Sequence, residues 1–230
     1  MDFDNEFKEN RKRIKIAVAI PHTGWITAGL ETRIARWIMN SDYDIVQILK
    51  AVKPTVSNRN LIAKEFLESD ADFLLTIDSD TVPEKNPLEM VKYDLDIVGG
   101  VYPAWKEISY IWLALRQAED GSFVSVPKEE RHGLVEVDGL GAGCLMIKRR
   151  VLEDIKTPFI DKLDMEVGNR ALGHDMYFCE RARAKGYKVY ADWDMVCDHL
   201  KEIPLIAVVN AIEGAFKKGY ALGKEEREVD

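Results

Sequence analysis

Asp78-Ser79-Asp80 places two carboxylates one residue apart, directly after the apolar run Phe73-Leu74-Leu75-Thr76-Ile77. Entered from Ala71-Asp72 and left at Thr81-Val82-Pro83, that run has the length and boundaries of a buried strand ending in a turn. Two acids there are costly unless a proton or a cation neutralises them. Oxygen ligands suit Mg²⁺ or Mn²⁺, which keep several waters and bind substrate phosphates as well. In open α/β sheets, ligands sit outside the carboxyl ends of such strands. The plain alternative is an acidic turn facing water; the strand before it favours a metal site.

The surrounding pattern supplies the elements that position these acids. Ile14 to Ile20 reads as a strand broken by Pro21-His22-Thr23-Gly24. Leu30, Ile34, Trp37 and Ile38 recur at helical spacing behind a possible N-cap, Thr27. Asp44 to Leu49 is a second strand, and Ser57 caps a helix that buries Leu61, Ile62, Phe66 and Leu67. Beyond the acids, Asn86-Pro87 opens a short helix, Leu88 to Tyr93, and Asp96 to Tyr102 is another strand. The pattern then changes. Tyr110 to Gln117 and Ser122 to Val126 flank the hairpin turn Glu119-Asp120-Gly121. Leu134 to Val137 and Cys144 to Ile147 are strands around Gly139, Gly141 and Gly143. His174 to Lys185 is a helix ended by Gly186, Lys188 to Ala191 a strand, and Ile203 to Lys218 an amphipathic helix. Thr157 to Gly173 is the longest irregular stretch, of a length common in binding loops.

A βαβα first half and a mixed second half give an α/β fold in a single Rossmann-like domain, a mostly parallel sheet flanked by helices. The expected division is a charged tail over 1–13, a domain over 14–202, and a helix with a charged tail over 203–230. At 230 residues, with 47% hydrophobic and 31% charged residues, the chain has the composition of an ordinary globular protein. A net charge of −8 argues against a nucleic-acid partner held by general attraction. The acidic start lacks the apolar region of a signal peptide, and Ile203 to Val209 is too short to cross a bilayer. Cys144, Cys179 and Cys197 show no C-x-x-C spacing and read as reduced, buried thiols. A cytoplasmic location is expected.

Four stretches, in order, resemble the GT-A-fold glycosyltransferases, above all the large inverting group (family 2-like) that uses nucleotide-sugar donors. They are Ser57-Asn58-Arg59-Asn60-Leu61-Ile62-Ala63, Phe73 to Asp80, the glycine-rich Gly139 to Arg149, and Gly173-His174-Asp175-Met176-Tyr177-Phe178-Cys179 with Ala184 to Val189. Asp198-His199 follows where many members place a metal-binding histidine. The resemblance spans Ile14 to Leu200. It implies a nucleotide-binding half over about 14–102, an acceptor half over about 103–202, a UDP- or GDP-sugar donor, and a carbohydrate or other hydroxyl acceptor. Two departures stand out. The family's Glu-Asp at the base motif is His174-Asp175 here, and no acidic residue lies between Lys50 and Pro54 to read the nucleobase.

The implied roles follow residue by residue. Asp80 is the first metal ligand and His199 the second, Mn²⁺ or Mg²⁺ being the ion; a core histidine is the alternative for His199. Asp78 holds the metal through water or the donor's ribose. Asp175 is the general base, at a helix N-terminus whose dipole favours the ionised form; an ordinary first-turn acid is the alternative. Pro21, His22, Thr23, Ser79, Arg59, Gly141 and Gly143 are donor contacts. Arg59 would pair with the diphosphate or with the acids, and the glycines would admit backbone close to the sugar or serve a turn. Trp105 and His174 are acceptor contacts.

Three rivals remain. Asp78-Ser79-Asp80-Thr81-Val82 also fits the nucleophile motif of haloacid-dehalogenase-like phosphohydrolases, with Asp78 attacking phosphorus, but no downstream paired acidic motif completes that site. A sugar nucleotidyltransferase would need a glycine-rich, Arg-containing loop where Pro21-His22-Thr23-Gly24-Trp25 stands. A non-catalytic nucleotide- or carbohydrate-binding module would bind without turnover. The final helix, with Leu205, Ile206, Val209, Ile212 and Phe216, is expected to pack on the core or on a second copy; Lys217-Lys218 is too small a basic cluster for stable membrane attachment.

Overall fold

The computed structural model describes residues 13–106, 109–164, 170–202 and 205–225; the expected tail over 1–13 lies almost wholly outside them. The strands, in chain order, are β1 (Lys15–Pro21), β2 (Asp44–Lys50), β3 (Phe73–Ile77), β4 (Thr81–Pro83), β5 (Ile97–Val101), β6 (Pro103–Lys106), β7 (Ser109–Trp112), β8 (Ala114–Gln117), β9 (Phe123–Ser125), β10 (Leu134–Val137), β11 (Gly139–Leu140), β12 (Cys144–Lys148), β13 (Lys162–Leu163), β14 (Arg170–Leu172) and β15 (Val189–His199). The helices are α1 (Ala28–Met39), α2 (Thr55–Glu68), α3 (Arg149–Asp154), α4 (His174–Ala184) and α5 (Leu205–Glu225), with 3₁₀ turns at Pro87–Tyr93 and Lys128–Glu130.

The main sheet runs β10-β15-β5-β12-β3-β1-β2. β1 is parallel to β2 and β3, and β5 is parallel to β15. β12 runs against both β3 and β5, and β10 against β15. The sheet is therefore mixed but mostly parallel, as expected. β3 is buried at every residue because both sheet faces are covered, the pattern of a continuous apolar run. Leu74 joins Ile62 and Phe66 of α2 and Phe178 of α4 on one face. Phe73, Leu75 and Ile77 join Leu30 and Ile34 of α1 and Leu88 and Met90 of the 3₁₀ turn on the other.

Several boundaries differ from expectation for identifiable reasons. Helix α2 starts at Thr55 with Pro54 at its N-cap, so Ser57 lies inside the first turn, and Leu61 faces solvent. The segment Tyr110 to Gln117 divides at Leu113 because its two halves pair with different strands, β6 and β9. The strand expected over Lys188 to Ala191 continues to His199 as one strand, β15, with a register shift between Asp192 and Val196. That irregularity lets β15 leave β5 and pair antiparallel with β4, placing His199 opposite Thr81. α5 does not cover the core: Leu205, Ile206, Ile212 and Phe216 are exposed. Among the described residues no helix is long and apolar enough to cross a membrane. All three cysteines are free and buried, and burial pushes the Cys179 thiol up to about 12, so it is an inert packing group.

The glycines before β12 serve packing. The Tyr102 ring, 4% exposed, lies against them, and the Gly143 N–H donates to its hydroxyl at 2.8 Å. A Cβ at Gly141 would overlap that hydroxyl, and one at Gly143 would come within 2.7 Å of the ring. Gly141→Ala is therefore expected to cost about 1–3 kcal/mol, whereas Gly29→Ala on α1, which meets open space, gains up to about 1 kcal/mol. Urea unfolding midpoints of the two variants against wild type check this.

Candidate functional site

The acidic turn is fixed from three directions. The Asp78 N–H donates to the Gly143 carbonyl at 2.9 Å, the Ser79 carbonyl accepts from the Thr27 N–H and hydroxyl, and the Leu200 N–H donates to the Asp80 carbonyl at 2.8 Å. Thr27 thus leads into α1 while anchoring the turn, and makes no side-chain cap of its own helix. The two carboxylates, though one residue apart, have different partners.

Asp78 is held by Arg59. Nη2 of the guanidinium reaches both carboxylate oxygens, at 2.6 and 2.8 Å, and Nη1 donates to the Ala142 carbonyl at 3.2 Å. The Arg59 side chain is only 4% exposed, and the sequence pattern accounts for it: Arg59 lies on the inward face of α2 with Asn58, Ile62, Ala63 and Phe66. Arg149 fixes the far end of that helix by donating to the carbonyls of Phe66, Leu67, Ser69 and Ala71. Burial raises the Asp78 carboxyl above its ordinary value; the Arg59 charge opposes this and the Asp80 charge adds to it. Of the two pairings open to Arg59, the structure shows the one with an acid. The phosphohydrolase reading required Asp78 as a nucleophile, but both its oxygens are engaged.

Asp80 turns to the chain beyond β15. Its Oδ2 meets the Lys201 ammonium and lies 3.7 Å from His199 Nε2. His199 Nδ1 is 3.0 Å from the Pro103 carbonyl, which can only accept, so Nδ1 carries a proton and Nε2 is the nitrogen that faces Asp80. The ring also packs edge-on against Tyr102 at 5.0 Å. His199 is therefore neither a plain core histidine nor a surface one.

These residues form the floor of a cleft of about 270 Å³. Its walls are Pro21, His22, Thr23 and Trp25 after β1, Val52, Thr55 and Asn58 after β2, and Asp78 to Asp80 after β3. Three parallel strand ends converge there, the place where α/β sheets bind ligands. Asn58 joins two of those ends, its amide donating to the His22 and Lys50 carbonyls. A second cleft of about 580 Å³, lined by Pro103, Ala104, Trp105, Tyr110, Trp112 and Leu200, adjoins the first through His199 and Lys201.

The structure thus brings together Pro21, His22, Thr23, Ser79, Asp80 and His199, sets Arg59 beneath them, and puts Trp105 next door. It does not bring Gly141 and Gly143 to the cleft; both are buried against Tyr102. Asp175 and His174 line neither cleft. Asp175 is half-buried in the first turn of α4, with Oδ1 accepting from the Met176 N–H at 2.9 Å. His174 packs edge-on to Phe159, and Phe159 is joined to α2 by reciprocal bonds with the Asn60 amide. Sequence reasoning missed Lys201, Asn58 and Trp25. Lys201 had a visible signal, a cation two residues after the candidate ligand His199. Among the described residues no three metal-ligating side chains gather.

No family model and no curated protein matches this chain. Solved structures do. One is A197 from STIV, 23% identical, with a TM-score of 0.59 over 82% of this chain and 87% of that one. The chain therefore shares the α/β fold of that protein, a mixed, mostly parallel sheet flanked by helices. Looser matches are a glycosyltransferase involved in glycosylation of the major capsid of PBCV-1 (14% identity, TM-score 0.34, 60% of this chain and 62% of that one) and 4-diphosphocytidyl-2C-methyl-D-erythritol synthase from Anaerococcus prevotii (10% identity, TM-score 0.43, 86% and 96%).

Two predictions follow from the buried charges. Arg59→Met strands the Asp78 charge and is expected to cost about 3 kcal/mol or more in urea unfolding. His174 is lowered below 6.5, chiefly by burial and then by Arg59. Its imidazole charges more readily in the unfolded chain, so its contribution to stability is present above 6.5 and is lost as pH falls through 6.5 toward the lower folded value. His174→Gln should flatten the fall in stability over that window, measured by urea unfolding as a function of pH.

Proposed function

We propose that this chain is a nucleotide-sugar-dependent glycosyltransferase that acts with inversion and works in the cytoplasm. One observation carries the reading: a cleft where β1, β2 and β3 end, floored by Asp80, His199 and Lys201, beside a second, aromatic cleft. A diphosphate needs positive charge near Asp80, and the Lys201 ammonium already lies there. A pyranose donor would extend toward His199 and Lys201, the residues common to both clefts.

The residues fit a divalent ion in part. Asp80 Oδ2 and His199 Nε2 face each other at 3.7 Å, a carboxylate oxygen of the kind Mn²⁺ or Mg²⁺ takes with an imidazole nitrogen beside it. Two protein ligands leave the remaining positions to phosphate and water, the usual arrangement for Mg²⁺ with a nucleotide. When bound, the ion would offset charge on the departing diphosphate. Asp78, neutralised by Arg59, is left out of that ligand set and shapes the floor instead.

The chain's own part is positioning and proton transfer. Lys201 would meet the leaving phosphate oxygen. Asp175 is the proposed base: it would take the acceptor hydroxyl proton as the acceptor oxygen bonds the anomeric carbon and the carbon–phosphate-oxygen bond breaks. Burial pushes the Tyr102 phenol up, and the charges of Asp78 and Asp175 add to that shift. His174 beside Asp175 would contact the acceptor or the donor phosphate.

A thermal-shift screen of UDP-, GDP- and TDP-sugars with and without Mn²⁺ tests the reading. A saturating donor is expected to raise stability by about 3 kcal/mol, with the Mn²⁺-dependent part lost in Asp80→Ala. Asp175→Asn should bind donor normally and lose at least about a hundredfold in transfer rate. Unchanged turnover in that variant refutes the base assignment. Pyrophosphate release from a nucleoside triphosphate and a sugar 1-phosphate would instead make the chain a nucleotidyltransferase.

A further inference from the structure

The hairpin of β6 and β7 is unusual in what it leaves in water. Pro103 pairs with Trp112 and Trp105 with Tyr110, and directly paired residues project from the same face of a two-stranded ribbon. One face of the hairpin is therefore made of Pro103, Trp105, Tyr110 and Trp112, and all four line the 580 Å³ cleft. Trp105 is 53% exposed and Tyr110 63%, although burial of each ring would be favourable. Trp112, by contrast, is fixed. It packs on Trp193 at 5.3 Å, and the Arg131 guanidinium lies 5.8 Å from its centroid and 5.5 Å from that of Trp193. The cleft thus has a rigid back and two open aromatic faces, so little order has to be imposed when a ligand arrives.

We propose that this hairpin face is a saccharide-binding site in which a pyranose ring stacks on Trp105 and Tyr110. The chemistry of the lining selects that class. A pyranose has an apolar C–H face and a polar edge. A flat ribbon of ring faces takes the former and leaves most hydroxyls in water, whereas an alkyl chain is better served by an enclosed groove. At one end His199 and Lys201 offer polar groups to the edge, and these also line the first cleft. Among the described residues no carboxylate lines the site, and these offer a cationic ligand no counter-charge. A sugar stacked here points one edge toward Asp80. Its role as the acceptor of a transfer rests on the function proposed above; the binding itself does not.

Saturation-transfer NMR on the full chain with lactose, cellobiose, maltose and N,N′-diacetylchitobiose, without nucleotide, is the test. At least one disaccharide is expected to receive saturation mainly at its ring C–H protons, and Trp105→Ala and Tyr110→Ala should each weaken its affinity about tenfold. Both side chains are exposed, so the variants should fold, which their unfolding midpoints verify. Binding that survives in the double variant, or saturation passing only to the chain of octyl glucoside and to none of the disaccharides, overturns the proposal. Disaccharide binding in a chain that ignores every nucleotide sugar would keep this site and sink the transferase reading.

Discussion

The ion pair between Arg59 and Asp78 is the constraint on which the site depends. Two carboxylates at the end of a buried strand repel each other and resist dehydration. The fold removes the inner one from the problem by aiming an almost wholly buried guanidinium at both its oxygens. A buried pair of this kind adds little net stability, because its desolvation cost nearly cancels its attraction, but breaking it is expensive. Its consequence is positional. With Asp78 held by Arg59, the turn presents Asp80 to His199 and Lys201, and the helix carrying Arg59 is in turn fixed by Arg149 and by the Asn60–Phe159 bonds.

The long strand β15 completes the arrangement. Its irregular middle lets one strand serve two partners, β5 in the sheet and β4 beside the acidic turn. The second pairing carries His199 and Lys201 to Asp80 from the far end of the chain. Because those two residues border both clefts, the two clefts are contiguous. That contiguity is what a group-transfer reaction between a nucleotide and a second substrate requires.

Much of this was legible in the sequence. The apolar run before Asp78 could be little other than a central strand, and the strand ends after Ile20 and Ile77 were marked by proline and by acid. The rest was hidden where tertiary pairing decides. Nothing local distinguishes Asp78 from Asp80; only the position of Arg59 on α2 separates their fates. Gly141 and Gly143 read equally well as ligand contacts, because the ring that needs their space, Tyr102, is some forty residues away in sequence. Strand β7 was merged with the following strand, because the apolar run Tyr110 to Leu115 continues across the point where the pairing partner changes.

The division of labour between the two aspartates is tested most directly by the electron paramagnetic resonance spectrum of Mn²⁺ titrated into the protein with UDP, which separates free from bound ion. The account predicts that Asp78→Asn, if folded, still binds the ion, that Asp80→Asn does not, and that nitrogen coupling in the bound signal vanishes in His199→Ala. Loss of binding in Asp78→Asn alongside undiminished binding in Asp80→Asn would contradict it.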